Sequence, residues 1–301
     1  MTIFAVIIWY NNDNYCVSHM LRKVFVIIIS CLIALGAIYI YYYHCWKHLW
    51  LVAKPLFSYP IHDNKKDTLR VLMIGDSWAA IHLKLRMDSF LCSELKRRIQ
   101  RPVSVVSKGK GGEKSRGIYQ LMFQTEEYGT KPLFFTGVDY CIISAGINDA
   151  AANLGTKQFC AHYRMIINFL LSNNIRPVII EIPDVDLWNI YGKKTKKDLL
   201  VDFIRSTMTN CRMYNLHEYR EALLEMLHDN NLMQHVLYVP MTLWNGEGVD
   251  INPSLFMSDK IHLNRRGYER LDHSIATAIV WDLEQSKDST FVHQPVNENS
   301  Q

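Results

Sequence analysis

The chain has 301 residues, 49% of them hydrophobic and 21% charged, with a mean hydropathy of -0.05. Nine prolines and 14 glycines exclude a collagen-like or low-complexity chain, and the apolar content excludes a wholly disordered one. The formal net charge is +4. Arg22, Lys23, Lys47 and Lys54 against Asp13 place three of those four units in residues 1–54, and the near-neutral remainder argues against a nucleic-acid partner.

Residues 24–43 (VFVIIISCLIALGAIYIYYY) run for 20 residues without a charge. At ~1.5 Å per residue a helix of that length spans about 30 Å, the thickness of a bilayer's hydrocarbon core. Arg22 and Lys23 precede it, and Tyr39, Tyr41, Tyr42, Tyr43 and Trp46 crowd its far end as an interfacial aromatic belt would. No A-x-A-like cleavage site follows, so the expectation is an uncleaved single-pass anchor preceded by an N-terminal segment, residues 1–23. Met20 could open a signal-anchor of its own. Basic residues flank the span equally, and since long folded domains translocate largely regardless of charge, the domain that follows is expected on the extracytoplasmic side.

Residues 44–68 read as a connector, polar and proline-bearing over 55–68, residues 69–286 as one α/β domain and 287–301 as a flexible tail. Strands are expected at 69–74, 102–106, 138–144, 177–182 and 235–239. Helical patterns fall at 78–99, 115–127, 156–173, 193–203, 216–229 and 265–285. Apolar strands alternating with helices predict a mostly parallel sheet covered on both faces. The seven cysteines form no C-x-x-C pair and the histidines no H-E-x-x-H, so a metal site is not expected.

In open α/β sheets ligands sit beyond the carboxyl ends of the strands. After the first strand comes Gly75-Asp76-Ser77-Trp78, with Ser77 at a helix start. After the second comes a glycine-bearing loop through Gly109, Gly111 and Gly112, whose backbone N–H groups can face a site. After the third comes Gly146-Ile147-Asn148-Asp149, and just before the last helix Asp259-Lys260-Ile261-His262 sets a carboxylate three positions from an imidazole. Each piece alone is an ordinary turn or cap; together and in this order they point to chemistry.

Ser77 in GDS, Gly112 in G-x-x-G, Asn148 in G-x-N-D and the D-x-x-H of Asp259 and His262 resemble the SGNH (GDSL-like) hydrolases over residues 69–285. His262-Leu263-Asn264 looks like that family's entry to its final helix, whereas Trp78 stands where leucine is usual. The resemblance implies a flavodoxin-like three-layer α/β/α sandwich. It implies Ser77 as nucleophile, His262 as base, Asp259 as its orienter, and an oxyanion hole from Ser77, Gly112 and Asn148, a mechanism that needs no metal or organic cofactor. Trp78, Gly111, Asp149, Trp188 and Trp244 are candidates for substrate contact. The leading expectation is a membrane-anchored esterase that removes small O-acyl groups such as acetyl from a carbohydrate or envelope glycan. An O-acyltransferase, a lipase or thioesterase, and a non-catalytic tethered binding protein are the alternatives.

Overall fold

The computed structural model describes residues 3–50, 56, 59, 61, 67–246 and 251–291. The chain divides into two units, Met1–Trp50 and Leu51–Gln301.

The described residues of the first unit form a single helix, α1 (Ile3–Trp50). Its 26-residue segment Met20–Cys45 is long and apolar enough to cross a membrane. Phe25, Ile27, Leu32, Ile33, Leu35 and Ile40 are each more than 60% exposed, so the segment is apolar all round rather than along one core-facing stripe. The stretch read as the anchor, 24–43, lies inside it, and the helix continues to Trp50 through part of the stretch read as connector.

Among the described residues of the second unit, five parallel strands, β1 (Leu69–Gly75), β2 (Val103–Gly109), β3 (Tyr140–Ser144), β4 (Arg176–Ile180) and β5 (Leu237–Val239), lie in the order β2-β1-β3-β4-β5. This is the flavodoxin-like order, whose topological switch point falls between β1 and β3. The central strands are almost continuously apolar and buried because helices cover both faces. At the edge, β2 alternates and leaves Val106 exposed.

The helices are α2 (Ser77–Lys84), α3 (Met87–Arg98), α4 (Ser115–Leu121), α5 (Lys131–Phe134), α6 (Ile147–Ala151), α7 (Thr156–Ser172), α8 (Leu187–Tyr191), α9 (Lys196–Thr209), α10 (Leu216–Asp229), α11 (Met241–Asn245) and α12 (Arg265–Phe291). On one side α2 and α3 pack on β2 while α12 packs on α3, α11 and β5; on the other α7 packs on β4, α4 and α10.

Sequence periodicity expects one helix over 78–99, but two form. Trp78 and His82 face inward from α2, whereas Met87, Leu91 and Leu95 face inward from α3, one residue out of phase. Arg86 absorbs that shift in a left-handed conformation (φ 57°). Helix α4 ends at Leu121 instead of 127, where Glu126 and Glu127 would oppose the helix dipole. Thr195 caps α9 by accepting from the Asp198 N–H (3.2 Å), so that helix starts after the basic run at Lys193 and Lys194. Helix α12 runs past 286 to Phe291, into the stretch read as tail; residues 292–301 lie outside the described residues.

Part of the stretch read as connector belongs to the domain's packing. The Leu56 N–H donates to the Tyr119 hydroxyl (2.9 Å), and the Tyr59 hydroxyl donates to the Met122 carbonyl (2.6 Å). The Tyr59 ring contacts Phe123, Phe135 and Phe169, with the Lys131 ammonium 4.9 Å from its centroid.

Candidate active site

The site forms where β1 and β3 end side by side, Gly75 pairing with Ser144 and, on the other edge, with Gly109. Both glycines are required by close approach. A Cβ on Gly75 would lie 2.3 Å from the Ser144 carbonyl oxygen, and one on Gly109 would lie 2.4 Å from that of Asp76. The chain then turns into α2, with Asp76 as the N-cap and Ser77 as the first helical residue.

Asp76 is buried and its carboxylate accepts from the Trp78 N–H (2.9 Å), the Ser144 hydroxyl (3.1 Å) and the Asn148 amide (3.3 Å). It thus ties the exits of β1 and β3 together. Burial pushes it up to about 6 in spite of the lowering by the Trp78 and Ser144 hydrogen bonds. Sequence reasoning passed over Asp76, although an aspartate just before a helix is a recognisable capping signal.

Ser77 Oγ lies 2.8 Å from His262 Nε2, and His262 Nδ1 lies 2.6 Å from Asp259 Oδ2. The turn that carries Asp259 and His262 is bonded to itself. Asp259 Oδ1 accepts from the N–H groups of Ile261 (2.9 Å) and His262 (3.0 Å), and the Met257 N–H donates to the His262 carbonyl (2.7 Å). Lys260 takes a left-handed conformation (φ 60°) at its crest. Partial burial would raise Asp259, but the His262 N–H and ring and the Ile261 N–H outweigh it and hold the carboxyl below its usual range. Asn264 then opens α12, accepting from the Gly267 N–H (3.1 Å) and donating to the carbonyls of Ser254 (2.8 Å) and Phe256 (3.1 Å). Residues 232–246 and 251–257 supply β5, α11 and, with Leu263, the Phe256 bridge that frames this turn.

Asn148, on α6, donates from Nδ2 to the Glu113 carbonyl (3.0 Å) as well as to Asp76. A turn closed by Glu113 N–H to Lys110 C=O (3.1 Å) sets Gly111 and Gly112 at its exposed centre, Gly112 with φ 73°. The Lys110 N–H donates to the Gly75 carbonyl (3.1 Å), docking this loop beside the start of α2.

Three residues proposed for substrate contact are structural instead. Trp78 is 1% exposed and Trp244 wholly buried; the two rings meet edge to face in a core cluster with Phe256 and Tyr268. Their large apolar area has gone to packing. Asp149 is buried, accepting from the Ser115 N–H (3.0 Å) and hydroxyl (2.6 Å), and burial raises it to about 6. Trp188 is exposed but lines a separate cleft of about 800 Å³ with Asp184, Phe203, Arg212 and Tyr214.

Beneath the site lies a second Ser-His-Asp array that no sequence pattern announced. His82 Nδ1 lies 2.7 Å from Ser107 Oγ and Nε2 2.9 Å from Asp272, and all three are buried away from any substrate. It joins α2, β2 and α12. Among the described residues, no group of three or more His, Cys, Asp or Glu is placed to hold a metal ion.

A serine, a histidine and an aspartate in relay at the switch point of a doubly wound parallel sheet is the arrangement of an ester hydrolase. A family model for GDSL-like lipases and acylhydrolases matches residues 73–270, more than half of the chain, and the chain belongs to that family of ester-bond hydrolases. Among solved structures it is similar to a protein assigned as an acylhydrolase from Bacteroides fragilis (16% identity, 74% of this chain and 91% of that one, TM-score 0.50). It is also similar to a GDSL-like lipase from Bacteroides thetaiotaomicron (14%, 80% and 98%, TM-score 0.48). A third is an acetylxylan esterase from Geobacillus stearothermophilus (15%, 73% and 96%, TM-score 0.46). No protein with a curated description matches the sequence.

Proposed function

We propose that the chain is a membrane-anchored serine esterase that removes small O-acyl groups, acetyl above all, from a carbohydrate or envelope glycan. The observation that carries the catalytic part is the unbroken relay from Asp259 through His262 to Ser77. His262 Nε2 takes the proton of Ser77 as Oγ bonds to the ester carbonyl carbon. The same proton passes to the departing alkoxide as the C–O bond breaks. Water then repeats the sequence on the acyl-enzyme, and Ser77 regains its proton.

The oxyanion is received by the N–H groups of Ser77 and Gly112 and by the Asn148 amide. For this, the longer of that amide's two bonds, 3.3 Å to Asp76, is the one it gives up. The helical segment Met20–Cys45 supports anchoring, and anchoring supports an envelope substrate. The full chain in detergent micelles is expected to hydrolyse p-nitrophenyl acetate and to release acetate from acetylated glycans, with Ser77→Ala slower by at least about 10³-fold. Equal rates for the two would sink the serine mechanism, and a preference for long acyl chains would redirect the substrate to lipid.

A further inference from the structure

We infer that Trp78 is a positioning residue for the Ser77–His262 pair, its indole N–H holding the turn that carries the base against the helix that carries the nucleophile. The inference rests on the serine mechanism above. Ser77 and His262 come from elements far apart in the chain, yet proton transfer between them tolerates little slack. A misplacement of ~1 Å costs about 10²-fold in rate. The bonds within residues 257–262 fix the shape of the turn and leave its distance from α2 open.

The indole closes that distance. Trp78 Nε1 donates to the Ile261 carbonyl (3.2 Å), and the Tyr268 hydroxyl, from the first turns of α12, donates back to the Trp78 carbonyl (2.8 Å). Trp78 follows the nucleophile by one residue and Ile261 precedes the base by one, so the indole bond is a second strut between the same two segments that the Ser77–His262 bond joins. The strut is stiff because the ring is 1% exposed, wedged edge to face against Trp244, Phe256 and Tyr268 with centroids 5.9, 6.5 and 6.4 Å away. Phe256 is bridged to Leu263, so the same ring braces both ends of the base-bearing turn. A leucine or phenylalanine at position 78 can fill the space but offers no N–H to Ile261.

The test uses the full chain in detergent with p-nitrophenyl acetate, comparing Trp78→Phe and Tyr268→Phe with wild type and Ser77→Ala. Trp78→Phe is expected to lower kcat about 10- to 100-fold while KM stays within about two-fold. Because the Asp259–His262 pair is bonded within its own turn, the midpoint of the acid limb of the pH–rate profile should stay in place while the plateau falls. Tyr268→Phe should lower kcat by a smaller factor with the same unchanged KM, and it decides alone if Trp78→Phe does not fold. Wild-type kcat in the folded variants overturns the inference, and so does a raised KM with kcat preserved, which would make the ring a substrate or packing contact. Full activity in Ser77→Ala would instead remove the serine mechanism itself, so the two failures are distinguishable.

Discussion

Asn148 and Asp149 are neighbours in sequence with opposite duties in the fold. The Asn148 amide sits between the exits of β1 and β2, one bond to Asp76 and one to the Glu113 carbonyl, within reach of the nucleophile's surroundings. Asp149 turns inward and pins the start of α4 through Ser115. Replacing Asn148 by Ala is expected to lower kcat about 10²- to 10³-fold with little change in KM, as loss of one oxyanion donor does elsewhere. Steady-state kinetics on p-nitrophenyl acetate checks this, and a variant that loses KM but keeps kcat would put Asn148 in substrate binding. The motif Gly-x-Asn-Asp was legible in the sequence, as were Ser77, Asp259 and His262, because each stands at the start of a helix or on a short turn where local chemistry shows. The division of labour between Asn148 and Asp149 was not legible, since it depends on Ser115, which belongs to another loop. Trp78 and Trp244 eluded the sequence for the same reason: an aromatic in a loop-facing stretch reads equally as a platform for a sugar or as core, and burial decides between them.

Among the elements, the strands were the most legible, because a parallel sheet covered on both faces demands apolar runs that stand out from their surroundings. Helix ends were less so. The break between α2 and α3 comes from a one-residue slip in the inward-facing stripe, and the early end of α4 from acidic residues where a helix favours basic ones. The short helices α5, α6, α8 and α11 are single turns without a period to detect. The stretch before β1 was read as a connector because it is polar and bears prolines, yet Tyr59 is seated among Phe123, Phe135 and Phe169. Tyr59→Ala is expected to destabilise the domain by ~1–3 kcal/mol through lost apolar burial, leaving kcat unchanged. Thermal or denaturant unfolding of the variant measures it, and an unaltered transition would mean that the tyrosine merely rests on the surface.

For the molecule as a whole, the near-neutral domain conceals, among its described residues, three carboxyl groups that burial raises to about 6, Asp76, Asp149 and Asp272. Each holds its proton more tightly folded than unfolded, so its contribution to stability is complete below the unfolded value near 3.8 and is lost as pH rises through about 6. Asp272 lies outside the catalytic relay, on the His82 array. Asp272→Asn should therefore improve relative to wild type as pH climbs from about 4 to about 6, whatever its fixed offset. Melting both proteins across that range tests the sign, and a difference that stays constant or widens to the variant's cost contradicts it.

The chain's order of residues was enough, without coordinates, to separate an apolar membrane-length segment from an α/β domain and to identify four loops that carry an ester hydrolase's residue types. Hydrophobic period, charge and turn chemistry are local properties and sufficed to divide the chain and locate the loops; the ester-hydrolase reading came from the resemblance of their motifs to a known family. The tertiary structure alone determined that Ser77 lies 2.8 Å from His262, that Asp76 joins two strand ends, and that Trp78 belongs to the core and reaches Ile261. These contacts link residues tens to nearly two hundred positions apart. Only packing brings such residues together, and no local pattern in the chain records the distance between them.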